Sequence, residues 1–229
     1  MNYRMRRLVI LLIVAAISLG GAAYSWLSDM SRRPQNVPHA VGAHSAQGVL
    51  ATLPTKGRAP KTDYRRSQFG PGWQTDGICD TRNRILQRDL RRAAVNNQCK
   101  VTAGELSDPY TGETHVFRRG SGTSDKIQID HVVALSNAWQ TGAQQLTEDE
   151  RIRLANDPLN LLAVKGAANQ DKGDSDAATW LPQHKPFRCQ YVARQIAVKA
   201  KYHLWVTAPE RQAMEQVLAT CPGQAVPQP

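Results

Sequence analysis

The chain has 229 residues, of which 29 are Lys or Arg and 19 are Asp or Glu, so its formal net charge is +10. A hydrophobic content of 41% is sufficient for a folded core and excludes a wholly disordered or collagen-like chain. The length is typical of one domain with additional segments. The positive charge favours an acidic partner, either nucleic acid or an anionic lipid surface.

Residues 1–28 have the pattern of a signal peptide or a signal-anchor. Basic residues within positions 4–7 precede an uncharged apolar run from Leu8 to Leu27, which is the order of an n-region and an h-region. At about 1.5 Å per residue this run just spans a bilayer core. Small residues at positions 20–23 also offer a cleavage site, so the cleaved and anchored forms both stay open. In either case we expect an exported protein, secreted or anchored with its folded part outside the cell.

Residues 29–60 are rich in Pro, Gly, Ala and Ser, a composition that predicts a flexible linker. Residues 1–60 contain seven cations and one anion, so only +4 of the net charge belongs to residues 61–229. We expect the folded domain at residues 61–222 and a Pro- and Gln-rich tail at residues 223–229.

Four cysteines, an even number in an exported chain, predict two disulfides. Three pairings are possible, and we favour the pairing that is local in sequence, Cys79 with Cys99 and Cys189 with Cys221. Because no CxxC motif occurs, a zinc site built from cysteines is not expected.

The hydrophobic pattern of the folded domain predicts short strands among helices. A helix over residues 81–95, with Thr81 as its N-cap, has five arginines, which form either a solvated surface or a phosphate-contacting face. Further strands are predicted at residues 114–117, 126–130 and 161–164, and further helices at residues 132–141, 148–155, 167–180, 190–201 and 209–219. This order predicts an α+β fold, mostly helical around a small sheet.

Asp130 and His131 end the second of these predicted strands. Because successive side chains of a strand point to opposite faces, the two side chains can serve different atoms. A carboxylate is a hard ligand that suits Mg²⁺ or Mn²⁺, and a neutral imidazole can take a proton from water. By itself the pair also fits a buried core histidine beside a capping aspartate.

Asn160 opens the next predicted strand and Asn169 lies at the start of the helix after it. Together with Asp130 and His131, in this order, they resemble the HNH (His-Asn-His) endonuclease family, whose core is a ββα-metal finger. The resemblance is closest to exported bacterial members related to the nuclease domain of modification-dependent restriction enzymes, and it covers residues 64–221. It extends to flanking segments at residues 66–70, 79–83, 108–112 and 180–182.

The resemblance implies a small ββα-metal finger within a mostly helical domain and a role for each matched residue. His131 matches the general base, Asn160 matches the asparagine that orients the catalytic loop, and Asp130 and Asn169 match the metal ligands. Asn169 stands where the family name has histidine, a variant of the Asp-His members. Two protein ligands leave room for water and phosphate oxygens, as Mg²⁺ prefers.

Lys172 follows Asn169 by three residues, on the same face of the predicted helix. We expect Lys172 to contact the phosphate or the negative charge that develops on it, although a solvated surface lysine has the same pattern. Arg82 and Arg88 of the arginine-rich helix are the other expected substrate contacts.

These features predict an exported, metal-dependent phosphodiesterase that acts on nucleic acid, DNA rather than RNA, with Mg²⁺ or Mn²⁺ as its cofactor. The first alternative is an exported DNA-binding or cell-envelope protein of the same fold that has no turnover. The second is a membrane-anchored structural protein. No pattern in the sequence predicts a protein partner.

Overall fold

The computed structural model describes residues 5, 44–120 and 125–227. The chain divides into two units, Met1–Ala40 and Val41–Pro229, and every element below belongs to the second. Apart from Met5, the predicted signal peptide or anchor lies outside the described residues, as does the first part of the predicted linker. Within the described ranges, no helix combines the length and apolar character needed to cross a membrane.

The elements alternate between helices and short strands, which confirms the α+β fold. They are α1 (Ala46–Thr52), β1 (Thr75–Asp76), β2 (Cys79–Asp80), α2 (Thr81–Asp89), β3 (Leu90–Val95), β4 (Val101–Ser107), β5 (Thr114–Arg118), β6 (Ile127–His131), α3 (Leu135–Gln140), α4 (Glu148–Asn156), β7 (Leu161–Lys165), α5 (Gly166–Lys172), α6 (Arg188–Lys201) and α7 (Ala208–Leu218). The strands form three antiparallel sheets, β1–β2, β3–β4–β5 and β6–β7.

The structure differs from the predicted linker over residues 44–60, which belong to the folded unit. Ser45 caps α1 by accepting a hydrogen bond from the Gly48 amide at 3.0 Å. Ala46 and Leu50 of α1 are buried in the same core cluster as residues of α6 and α7. Small residues allow helices to approach closely, so a short packed helix can have the composition of a linker.

The predicted helix over residues 81–95 ends at Asp89, and the N-cap is Asp80 rather than Thr81. The Asp80 carboxylate accepts a hydrogen bond from the Asn83 amide at 2.7 Å. From Leu90 the chain continues as β3, where Leu90 pairs with Leu106 of β4 and both are buried. The sequence of β3 suits a helix as well as a strand, and the partner strand decides between them.

The predicted helix over residues 167–180 is also shorter, since α5 ends at Lys172. Gly173 follows as the C-cap with a φ of 54° and a ψ of −127°, a positive-φ conformation that glycine adopts without a steric cost. At the start of α5, a Cβ on Gly166 would lie 2.5 Å from the carbonyl oxygen of Asp125. Only glycine therefore allows α5 to begin so close to the strand it covers.

The hairpin β6–β7 is buried on both faces. Its register runs from Ile127 opposite Lys165 to His131 opposite Leu161. Ile127, Ile129, Leu161 and Ala163 belong to one core cluster, whereas Leu162 and Val164 belong to another. Packing on both sides gives the residues at the end of β6 a rigid support.

The disulfides join Cys79 to Cys99 and Cys189 to Cys221, the pairing that is local in sequence. The first links β2 to the turn before β4, and the second links α6 to the segment after α7. Each bridge therefore closes a loop around one part of the folded unit, and such closure stabilises a small exported domain.

Candidate active site

His131 ends β6 and lines a pocket of about 240 Å³. Its ring stacks on Trp73, with 5.6 Å between centroids and 14° between planes, and its Nε2 lies 2.9 Å from the carbonyl oxygen of Ala155. Because a carbonyl oxygen only accepts, Nε2 has the hydrogen and Nδ1 is the basic atom of the neutral ring. Burial, against the opposing effect of the hydrogen bond to Ala155, lowers the pKa of His131 to about 3. The imidazole is therefore neutral at pH 7.

Asp130 points to the opposite face of β6 and is only 5% exposed. Its Oδ1 accepts a hydrogen bond from Lys172 Nζ at 2.9 Å, and its Oδ2 accepts one from the Tyr110 hydroxyl at 2.5 Å. Burial raises the pKa of Asp130, and the charge of Lys172 opposes that rise. Two donors from different parts of the fold thus fix the orientation of this carboxylate.

Lys172 has no exposed surface and connects α5 to the end of β6. In addition to its ion pair with Asp130, its Nζ donates to the carbonyl oxygen of His131 at 2.8 Å. One ammonium group therefore contacts both residues at the end of the strand. A contact between Lys172 and a phosphate would require it to leave these partners.

Asn160 is fully buried and holds the chain that follows His131. Its Oδ1 accepts from the Val133 amide at 2.8 Å, and its backbone oxygen accepts from the Val132 amide at 2.8 Å. Its Nδ2 lies 3.3 Å from the carbonyl oxygen of Val133 and 3.4 Å from that of Leu154. Asn160 thus joins the segment after β6 to the turn of α4 that contains Ala155.

Asn169 lies in α5, one helical turn before Lys172, and its Nδ2 donates to Gln128 Oε1 at 2.8 Å. Gln128 and Asp130 are two residues apart on β6, so both point to the face that α5 covers. The structure therefore brings Asn169 to the same face of the strand as Asp130.

The side-chain oxygens of Asp130 and Asn169 are chemically suited to bind a divalent ion. A carboxylate oxygen and an amide oxygen are hard ligands for Mg²⁺ or Mn²⁺. The bonds from Lys172 and Tyr110 occupy only part of the acceptor capacity of the carboxylate. Within the described residues, no group of three or more His, Cys, Asp or Glu is arranged for a metal. A site here would therefore use two protein ligands, with water or substrate oxygens completing it.

Arg82 and Arg88 direct their guanidinium groups at the hairpin. Arg82 Nη2 donates to the carbonyl oxygen of Ile127 at 3.0 Å. Arg88 pairs with Asp89 at 2.6 Å and donates to the carbonyl oxygens of Pro158 at 2.9 Å and Leu161 at 2.6 Å. Arg82 and Arg88 thereby anchor α2 to β6 and β7, and a phosphate contact would compete with these bonds.

Three further residues belong to the site. Tyr110 donates to Asp130, Trp73 stacks on His131, and Arg66 lines the same pocket as His131. Tyr110 and Arg66 stand in segments that contribute to the family resemblance, which is the signal that could have identified them. Trp73 lies outside those segments, and no local pattern shows which polar group its aromatic ring meets.

Comparison with known proteins agrees with a nucleic-acid-cleaving class. The family model described as GmrSD restriction endonucleases, C-terminal domain, matches residues 80–217, and the chain belongs to this family. A protein of Arthroderma benhamiae described as "Uncharacterized secreted protein" is 39% identical over 191 residues, which cover 82% of this chain and 89% of that protein. No solved structure matches.

Membership of a restriction-endonuclease family indicates a nuclease-type function, that of a hydrolase whose substrate is nucleic acid. Families of this kind typically use divalent metals. The relative is fungal, so the comparison does not support the expected bacterial branch.

Proposed function

We propose that the chain is an exported, metal-dependent endonuclease of the HNH type that hydrolyses phosphodiester bonds of DNA. The observation that carries this proposal is the environment of His131. A buried, neutral imidazole is oriented by a backbone carbonyl and lines a pocket, and the next residue along the chain is a carboxylate on the opposite face. Simple binding of DNA does not require such an arrangement.

His131 is the general base in this proposal. Its Nε2–H continues to donate a hydrogen bond to the Ala155 carbonyl oxygen, and Nδ1 takes a proton from the attacking water. The water oxygen bonds to the phosphorus as the bond to the 3′ oxygen breaks. The departing 3′ oxygen takes a proton from solvent water, and His131 later returns its proton to solvent, so the products have 5′-phosphate and 3′-hydroxyl ends. Asn160 holds together the segment that follows His131 and the turn of α4 that contains Ala155, the hydrogen-bond partner of His131.

Asp130 and Asn169 would hold the divalent ion, Mg²⁺ or Mn²⁺. When bound, such an ion supplies positive charge to the scissile phosphate and the leaving oxygen. Lys172 and Tyr110 orient the Asp130 carboxylate, so we assign Lys172 an indirect role in catalysis through Asp130 and the His131 backbone. Arg82 and Arg88 stay proposed substrate contacts.

Export is supported by two independent features. The described part of the chain contains two disulfides, which persist in oxidising compartments. The relative with 39% identity is described as secreted. We infer that the folded unit acts outside the cytoplasm.

The alternative is a DNA-binding or cell-envelope protein that keeps the fold without turnover. One observation favours it: both oxygens of Asp130 already accept hydrogen bonds from protein donors, as a purely structural carboxylate would. If this alternative is correct, nucleic acid binds but is not cut under any metal condition.

The test is cleavage of plasmid DNA by the purified chain with Mg²⁺, with Mn²⁺ and with EDTA. His131→Ala and His131→Asn should each lose at least about 100-fold in rate, the contribution expected of a general base. His203→Ala is the matched control, because His203 lies outside the His131 pocket. Retained cleavage in both His131 variants would refute the mechanism, and no cleavage by the wild type would favour the binding protein.

A further inference from the structure

Arg66 stands at the rim of the pocket that His131 lines. It is exposed at the start of a short 3₁₀ helix, Arg66–Phe69, and shares the pocket with Trp73 and His131. Among the described residues that line this pocket, Arg66 is the one with a permanent positive charge. A fixed cation therefore faces the same space as the imidazole.

The guanidinium group of Arg66 makes no hydrogen bond or ion pair with the residues in the described ranges. Other arginines around the fold are engaged: Arg58 with Asp176, Arg84 with Asp76, Arg151 with the Gln68 carbonyl and Arg211 with the Leu53 carbonyl. All five donors of Arg66 are thus available to a ligand.

The other cations considered for the substrate are less available. Lys172 is fully buried on Asp130, and Arg82 and Arg88 donate to backbone carbonyls of the hairpin. A phosphodiester brought to His131 has negatively charged non-bridging oxygens, and a guanidinium group pairs with such oxygens in a bidentate manner. Arg66 is the group positioned to do so.

We propose that Arg66 is a binding residue for the phosphate that is presented to His131, and that its pocket is an anion site for the backbone of nucleic acid. Trp73 stacks on one face of the imidazole, and Arg66 is the cation of this pocket that can orient the phosphate. This inference rests on the proposed nuclease function, which it extends by naming the group that places the scissile phosphate.

The experiment compares Arg66→Gln and Arg66→Lys with Arg65→Gln in the full chain. Arg65 is the matched control, because it is exposed, adjacent and of equal charge, but lies outside the pocket lining. Urea unfolding first confirms that each variant is folded. Cleavage of plasmid DNA then gives kcat/KM, and fluorescence anisotropy with a labelled duplex in EDTA gives Kd at several salt concentrations.

We expect Arg66→Gln to lower kcat/KM by about 10- to 100-fold, the effect of losing a charge-assisted pair, and Arg66→Lys to recover part of that loss. The slope of log Kd against the logarithm of the salt concentration should decrease by about one in Arg66→Gln, because one fewer phosphate contact releases one fewer counterion. Arg65→Gln should change kcat/KM less than threefold, on the order of a surface charge effect. Equal effects of the two Gln variants, or no binding of DNA by the wild type, would overturn the anion site. If the wild type binds without cutting and only Arg66→Gln weakens binding, the anion site stands and the nuclease proposal fails.

Discussion

Replacement of Lys172 by Met tests how α5 is joined to the end of β6. The side chain has no exposed surface, and its Nζ binds Asp130 Oδ1 at 2.9 Å and the His131 carbonyl at 2.8 Å. Methionine keeps most of the length and volume but removes the charge and both hydrogen bonds. The Asp130 carboxylate would then be buried with Tyr110 as its remaining side-chain donor.

Breaking a buried ion pair from one side costs about 3–5 kcal/mol of unfolding free energy. Burial already raises the pKa of Asp130, and Lys172 limits that rise, so the variant should have a still higher folded-state pKa. A carboxyl group whose folded-state pKa exceeds the unfolded value of about 3.9 binds more protons in the folded state. The stability deficit of Lys172→Met should therefore shrink as the pH falls through the raised folded-state pKa of Asp130 toward the unfolded value.

The assay is urea unfolding followed by tryptophan fluorescence with the disulfides intact. Lys61→Met is the control, because the Lys61–Asp174 pair is half exposed, with 52% and 48% side-chain exposure, and such pairs contribute about 0–1 kcal/mol. The double variant Asp130→Asn/Lys172→Met should recover much of the loss, since no charge is left unpaired. A deficit for Lys172→Met equal to that of Lys61→Met, or one that does not vary with pH, would refute the reasoning.

Three further outcomes are expected. In calorimetric titration, Tyr110→Phe should weaken Mn²⁺ binding about 10- to 100-fold, as loss of an orienting partner does. The control Tyr191→Phe removes another buried hydroxyl, which contacts Gln195, and should leave Mn²⁺ binding unchanged. Equal effects of the two variants would contradict the role of Tyr110. Partial burial raises the pKa of Asp80, but hydrogen bonds from Lys100 and Asn83 outweigh it and lower that pKa. Its stabilisation is therefore complete above the unfolded-state pKa of about 3.9 and is lost as the pH falls through the lower folded-state pKa. In urea unfolding at several pH values, Asp80→Asn should thus approach wild-type stability in acid, and a difference that is constant down to pH of about 2 would count against this. Leu50→Ala should lose about 2–5 kcal/mol in urea unfolding, whereas a loss below about 1 kcal/mol would show that α1 is not part of the core.

Several elements are readable from local pattern alone. The alternation at residues 126–130 and the apolar run at residues 161–164 correspond to β6 and β7, and the amphipathic patterns near the end of the chain correspond to α6 and α7. The alternation of β6 and the amphipathic stripes of α6 and α7 are reliable signals because each matches the period of its element, and the continuous apolar run of β7 suits a strand that is buried on both faces. The adjacency of Asp130 and His131 likewise predicts that their side chains diverge, since a strand alternates its faces.

Other boundaries depend on partners that are distant in sequence. The chain at Leu90 leaves the helical conformation because β4 offers a strand to pair with, and residues 46–52 form a helix because α6 and α7 cover it. The same residues in isolation are compatible with a longer helix and with a linker, respectively. Propensity is a weak preference that tertiary packing overrides.

The candidate site likewise has some features that are readable from local sequence and others that depend on residues distant along the chain. The order and residue types of Asp130, His131, Asn160 and Asn169 are readable from the chain alone, and they indicate the chemistry that these residues can perform. Their surroundings depend on the fold, which places Tyr110 on the carboxylate, Lys172 between two residues at the strand end, and the Ala155 carbonyl on the imidazole. The physical reason is that the energy and orientation of a buried polar group depend on the donors and acceptors around it, which the fold brings from distant parts of the chain.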